Sequence, residues 1–241
     1  MLPGIVLERL RATNTNPHMT TLFRILALLA LLYLTEGIQK AVGQPIKQAR
    51  SLKSFENVVL ETSDRTVVRI RESKTAGITI KADAALIDKI KTSVAGATLT
   101  VHLDEKNFDD GCIEICILLP ILRKISLNGG GQVQIADGNL GANLETSITG
   151  GGRIKFEEKS RVQNLYGRVS GGGTVEALNL MAEKASILIV GGGEVMLQVH
   201  EALEGKIIGG GNILYEGDPQ VSSQISGGGR VASRYSWFPA L

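Results

Sequence analysis

The chain has 241 residues, of which 26 are Lys or Arg and 24 are Asp or Glu, giving a formal net charge of +2; it has two cysteines and only five Phe, four Tyr and one Trp. A balance this even, with no basic stripe and no acidic run, argues against nucleic acid as a partner. So few aromatics leave no row of stacking platforms for single strands or sugars along the body of the chain.

In chain order, the first element is a segment built for removal. Residues 1–43 read as a secretory signal region with Met19 as its functional start. MTTLFR carries Arg24, residues 25–34 (ILALLALLYL) are apolar throughout, and the segment closes on the small-x-small sequence Ala41-Val42-Gly43. A run of that length is too short for the roughly 20 residues that span a bilayer core, and a buried helix is its alternative reading. Cleavage after Gly43 starts the mature chain at Gln44. Residues 1–43 hold Arg9, Arg11, Arg24 and Lys40 against Glu8 and Glu36, so their removal leaves 22 basic and 22 acidic residues. The expected destination is export, to the periplasm or to the cell surface and medium.

Residues 44–51 read as a linker and residues 52–233 as one domain. Residues 55–60, 66–70, 77–82 and 97–103 alternate or run β-branched, which is the strand pattern. The pattern breaks once, at residues 84–91 (AALIDKIK), where Leu86, Ile87 and Ile90 fall at helical spacing and Asp83 stands ready to cap one or two helical turns. In residues 112–117 (CIEICI) the isoleucines share one face, which puts Cys112 and Cys116 on the other. Four residues of strand separate them by about 13 Å, beyond disulfide reach, so free thiols are expected. Two cysteines with no histidine nearby do not make a metal site.

From residue 129 onward one feature dominates. Gly-Gly-Gly recurs six times, beginning at Gly129, Gly150, Gly171, Gly191, Gly209 and Gly227, at intervals of 21, 21, 20, 18 and 18 residues. Two positions before each triplet stand Leu127, Ile148, Val169, Ile189, Ile207 and Ile225; two after it stand Val133, Ile154, Val175, Val195, Ile213 and Val231. Six before it, Leu144, Leu165, Leu203 and Val221 add a second apolar slot, filled instead by Arg123 in the first repeat and Ala185 in the fourth. Self-similarity at such a period marks a unit that buries its apolar face only against its neighbours. A strand plus crossover helix needs about 30 residues, so this repeat is a coil of short strands. The expected fold is all-β: a parallel β-helix, or β-solenoid, with one short helical insertion near residues 84–91. The uneven period is unlike a strict hexapeptide left-handed coil and favours a right-handed one. Turn glycines at the corners are Gly129, Gly131, Gly150, Gly152, Gly171, Gly173, Gly191, Gly193, Gly209, Gly211, Gly227 and Gly229, stacked as a ladder of positions without side chains. Residues 234–241, with Tyr235, Trp237 and Phe238, are the expected cap of the last coil.

Candidate chemistry is sparse. His102 and His200 are the only histidines after the signal region and read as surface residues. The triplets lack the Gly-Lys-Ser/Thr and following helix of a phosphate loop, and no nucleophile elbow or zinc-binding His pair occurs. Asp137, Glu157, Glu158, Glu176 and Glu194 are scattered rather than in register. No catalytic residue, cofactor or metal is therefore expected.

Residues 206–231 (KIIGGGNILYEGDPQVSSQISGGGRV) resemble the C-terminal signature of the putative auto-transporter adhesin, head GIN domain family, S-G-S-G-D/N-I/V followed by G-x-P-x-V and I-S-G-S-G. Gly210 and Gly228 stand where that family usually has Ser or Ala, and Asn212 takes its Asp/Asn slot. Residues 113–131 (IEICILLPILRKISLNGGG) and the F-x-x-V formed by Phe55 and Val58 extend the resemblance over most of residues 52–233. It implies a secreted bacterial β-helix-like protein, named an adhesin for its shape, with no established catalytic residues. No membrane barrel follows within these residues and no Cys ends the signal region, so a soluble exported protein is expected. Its expected function is non-enzymatic binding of an envelope or surface protein or glycan along a solenoid face. The alternative is a self-assembling structural envelope protein; a polysaccharide-degrading solenoid enzyme, which needs convergent carboxylates, is the third reading.

Overall fold

The computed structural model describes residues 45–104, 111–136 and 139–237. The signal region, Gln44, Asp137 and Phe238 lie outside the described residues. The strands are β1 (Ile46–Ser51), β2 (Asn57–Thr62), β3 (Thr66–Glu72), β4 (Gly77–Ala82), β5 (Ile90–Ala95), β6 (Thr98–Leu103), β7 (Ile113–Leu119), β8 (Leu122–Gly129) and β9 (Gln132–Ile135). They continue as β10 (Leu140–Gly150), β11 (Arg153–Phe156), β12 (Ser160–Gly171), β13 (Thr174–Gly191), β14 (Glu194–Gly209), β15 (Asn212–Glu216), β16 (Gln220–Ser226) and β17 (Arg230–Ser233). One helical turn, α1 (Ala84–Ile87), lies between β4 and β5, and a 3-10 turn (Arg234–Trp237) follows β17.

The architecture is a nearly all-β solenoid of about five turns. Each strand entering a triplet pairs in parallel with the strand entering the next, and each strand leaving a triplet does likewise. The incoming wall runs β6-β2-β8-β10-β12, then the C-terminal halves of β13 and β14, then β16. The outgoing wall runs β7-β3-β9-β11, then the N-terminal halves of β13 and β14, then β15 and β17. Register follows the triplets: Gly129, Gly150, Gly171, Gly191 and Gly209 are partners in succession. The apolar positions flanking them form columns buried between the walls. Ile148, Val169, Ile189 and Ile207 are fully buried on one side, and Val133, Ile154, Val195 and Ile213 on the other.

Within a triplet the three glycines meet different constraints. The first has positive φ in every case, for example +116° at Gly171 and +121° at Gly191, a region that side chains strongly disfavour. A Cβ on Gly191 would also stand 2.7 Å from the carbonyl oxygen of Gly171 in the coil below. The third glycine makes room for an apolar side chain: a Cβ on Gly173 would lie 2.5 Å from Cγ2 of Ile148, and one on Gly211 would lie 2.6 Å from Cγ2 of Ile189. The middle glycines Gly151, Gly172, Gly192, Gly210 and Gly228 have open space where a Cβ would go. The corner backbone is stitched between coils, with Gly192 N–H donating to the Gly171 carbonyl and Glu194 N–H to the Gly173 carbonyl, each at 3.0 Å.

The N-terminal end departs from this plan. β1 pairs antiparallel with β4, β4 antiparallel with β7, and β5 antiparallel with β6. Thus residues 46–51, read from sequence as a linker, are an edge strand. They are almost wholly exposed and lack the apolar alternation that announces a strand. The helical insertion is shorter than residues 84–91, because it stops at Ile87 and Ile90 already belongs to β5. Asp83 occupies the N-cap position but its side chain makes no capping hydrogen bond. Leu86, Ile87 and Ile90 are all buried and join the core at this end. The Arg50 guanidinium on β1 reaches across the end, donating to the Ile90 carbonyl at 2.9 Å and to Thr92 Oγ1 at 3.0 Å.

At the other end the columns run out. Val221 and Ile225 are each 42% exposed, although Leu203 and Ile207, their register partners one coil below, are buried. Tyr235 is 71% exposed, and every residue of β16 remains exposed. The 3-10 turn packs beside β15 and β17, tied by Arg234 Nη1 to Glu216 Oε1 at 2.5 Å.

Candidate functional site

The corner opposite the triplets, where each outgoing strand becomes the incoming strand of the next coil, carries a groove of about 800 Å³. Its spine is a register column across four coils: Arg161 on β12 pairs with Met181 on β13, Met181 with Gln198 on β14, and Gln198 with Glu216 on β15. Steps of about 4.8 Å between parallel strands make that column about 14 Å long. Lys159, Leu178 and Asn179 complete one flank and Arg234 the far end. Asn179 fixes the turn, its Nδ2 donating to the carbonyls of Phe156 at 3.2 Å and Glu157 at 2.8 Å.

The charges in the groove do not cancel. Glu216 is engaged by Arg234. Lys159 and Arg161 are exposed and have no ion-pair partner among the described residues. The half-buried Leu178 and Met181 supply an apolar floor between the two groups. Among the lining residues Lys159, Arg161 and Arg234 outnumber Glu216, with Glu157 and Glu158 exposed at the same corner, and the Gln198 amide adds a hydrogen-bonding group, an arrangement suited to holding an extended anionic ligand. A column of this kind is readable in principle by adding the repeat period to each residue. The variable length of the loops at this corner, which produces register shifts between β13 and β14, hides it.

The residues singled out in the sequence fall elsewhere. Glu176 is paired with Arg153 on the outgoing wall, and Glu194 lies in the column of Thr174 and Asn212. Glu157 and Glu158 are exposed at the rear corner. Register sets Glu176 and Glu194 diagonally on adjacent strands, and no group of three or more metal-ligating side chains occurs among the described residues. His200 is exposed. His102 instead finds two carboxylates, with Nδ1 at 2.5 Å from Glu61 Oε2 and Nε2 at 3.1 Å from Asp104 Oδ1, on the outer face of the incoming wall. The hydrogen bond from the Lys91 ammonium, aided by the positive charge of Lys91 and its neighbours, holds the Asp104 carboxyl below its ordinary value. Cys112 and Cys116 are free thiols; Cys112 Sγ donates to the Arg65 carbonyl at 3.3 Å, and Cys116 is half-buried on the outer face of β7.

Comparison with known proteins bears on the family and the fold. The family model described as putative auto-transporter adhesin, head GIN domain, matches residues 54–219. The chain belongs to this family. The matched span runs from the first coil to the turn before β16, so the head GIN fold comprises both walls and five of the six triplets. A search of curated proteins finds no match. Among solved structures, a putative adhesin from Bacteroides fragilis NCTC 9343 is similar at 21% identity and a TM-score of 0.59, covering 78% of this chain and 96% of its own. A putative lipid binding protein from Parabacteroides distasonis ATCC 8503 is similar at 21% identity and a TM-score of 0.51, covering 80% of this chain and 97% of its own. At these identities the likeness speaks for the fold. No helix among the described residues is long and apolar enough to cross a membrane.

Proposed function

We propose that this head GIN protein is a non-catalytic binding module of the cell envelope or surface, and that its rear groove holds an acidic segment of an envelope glycan or surface protein. The observation that carries this reading is the column from Arg161 to Glu216 with Lys159 at its flank, where two cations without an ion-pair partner among the described residues stand over an apolar floor. Such a surface gains affinity from charge complementarity and from apolar contact without reacting groups. Membership of an adhesin-named family favours export and a binding role. Fold alone does not fix function, so the groove carries the argument.

The test is retention on an array of acidic and neutral envelope polysaccharides and in an envelope-fraction pull-down, run beside a hydrolysis assay on the same polymers. The reading expects retention of acidic ligands that weakens with added salt and falls at least tenfold in Arg161→Glu, without bond cleavage. Turnover of the polymer, or retention indifferent to Arg161→Glu, would contradict it.

A further inference from the structure

The two ends of the solenoid treat their edge strands differently. At the N-terminal end, β1 carries Lys47 and Arg50 and β5 carries Lys91, charges that discourage another strand from docking. α1 and the Arg50 strap close the core behind them. At the C-terminal end, β16 reads Gln-Val-Ser-Ser-Gln-Ile-Ser, with no charge, no proline and no glycine. Its inward positions, Val221, Ser223 and Ile225, are the register successors of Leu203, Gly205 and Ile207, so the buried columns emerge directly on this strand.

The chemistry of β16 is also symmetric about its centre. Turned antiparallel to itself around Ser223, it sets Val221 opposite Ile225, Ser222 opposite Gln224 and Gln220 opposite Ser226. Apolar meets apolar on the core face, and amide meets hydroxyl on the outer face. Such cross-strand pairs are the stabilising unit of an antiparallel ladder, and none of them opposes like charges. The occupant that matches this pattern residue for residue is another β16.

We propose that the C-terminal end is a self-association surface on which a second copy of this chain docks, β16 against β16, about a two-fold axis through Ser223. The incoming walls of the two copies then form one continuous sheet, and the open columns close on each other. Because the N-terminal edges carry charges and a plugged core, the contact is isologous and stops at two copies rather than growing into a fibre.

The experiment uses the purified protein in sedimentation over about a hundredfold range of concentration, since a dimer dissociates by mass action on dilution. The expected result is a twofold fall in mass on dilution, and a monomer throughout for Ile225→Lys, whose exposed site leaves the thermal melt of the monomer in place. A second variant fixes the geometry: Ser223→Cys in a Cys112→Ser, Cys116→Ser background. Facing residues of an antiparallel pair have Cα atoms about 4.5–5.5 Å apart, within disulfide range, so this variant forms a reducible cross-linked dimer. A wild-type monomer at every concentration overturns the proposal, including the case in which β16 is shielded by the chain's own residues 238–241. A wild-type dimer whose Ser223→Cys variant fails to cross-link, or masses growing beyond two copies, overturns the two-fold β16 pairing.

Discussion

The two ends of this solenoid are built from the same kind of strand and finish it in opposite ways. At the N-terminal end the chain abandons its parallel repeat, folds β1, β4 and β5 back antiparallel, and buries Leu86, Ile87 and Ile90 beneath the last coil. At the C-terminal end the repeat simply continues until Val221 and Ile225 stand in solvent at positions where the preceding coil is covered. A solenoid stabilises each unit through its neighbours, so a residue's worth depends on whether another coil follows it. The sequence repeat is silent on this, because Ile207 and Ile225 occupy the same slot.

The strongest contrast comes from making the same substitution at both places. In dilute, monomeric protein, Ile207→Ala is expected to cost about 3 kcal/mol in denaturant titration, and Ile225→Ala less than about 1 kcal/mol. Ile87→Ala in the N-terminal plug should behave like Ile207→Ala; if it behaves like Ile225→Ala, that end is not closed.

The corners give a second, smaller contrast. Gly209→Ala puts a side chain at φ +124° with its Cβ 2.5 Å from the Gly191 carbonyl oxygen, and should cost about 2–3 kcal/mol. Gly210→Ala, in open space, should stay within about 0.5 kcal/mol. Near the N-terminal end the rule changes, because the first coil turns through Ser63 and Asp64 rather than a triplet. A Cβ on Gly130 would collide with the Asp64 side chain and stand 2.9 Å from its backbone nitrogen. Gly130→Ala should therefore cost more than Gly210→Ala, by about 1 kcal/mol, and equal melting of the two variants would refute this assignment of the corner.

A still smaller effect concerns the exposed cluster beside β5. The folded-state carboxyl of Asp104 lies below its ordinary value of 3.8 because Lys91 hydrogen-bonds to it. A depressed carboxylate contributes stability above its unfolded value and loses it as pH falls through the folded one. Wild type should thus lose slightly more stability than Asp104→Asn when pH is lowered from about 6 to about 3, and identical acid limbs would show that the pairing contributes nothing.

Much of the fold was legible in the triplets. Their spacing gave the coil, their flanking β-branched residues gave the buried columns, and the open middle glycine accounts for the Ser or Ala that the family resemblance places there. The N-terminal cap was not legible, since β1 is nearly all exposed and no periodicity marks a strand whose role is to pair with β4. Nor does the sequence order of the coils betray that β6 and β7 stack on one side of β2 and β3 while β8 and β9 stack on the other. The groove escaped because Lys159, Arg161 and Arg234 are ordinary singly and meet only through register at a corner of variable loop length.

One end of the solenoid is closed and the other open. Amide hydrogen exchange resolved by peptide, at a concentration where the protein is monomeric, decides the matter, because exchange reports the local opening free energy of each strand. Slow exchange is expected in β4, α1, β13 and the C-terminal half of β14, and fast exchange in Gln220–Ser226. Protection of Gln220–Ser226 equal to that of β14, or exchange in β4 and α1 as fast as in Gln220–Ser226, would show that the two ends do not differ in this way.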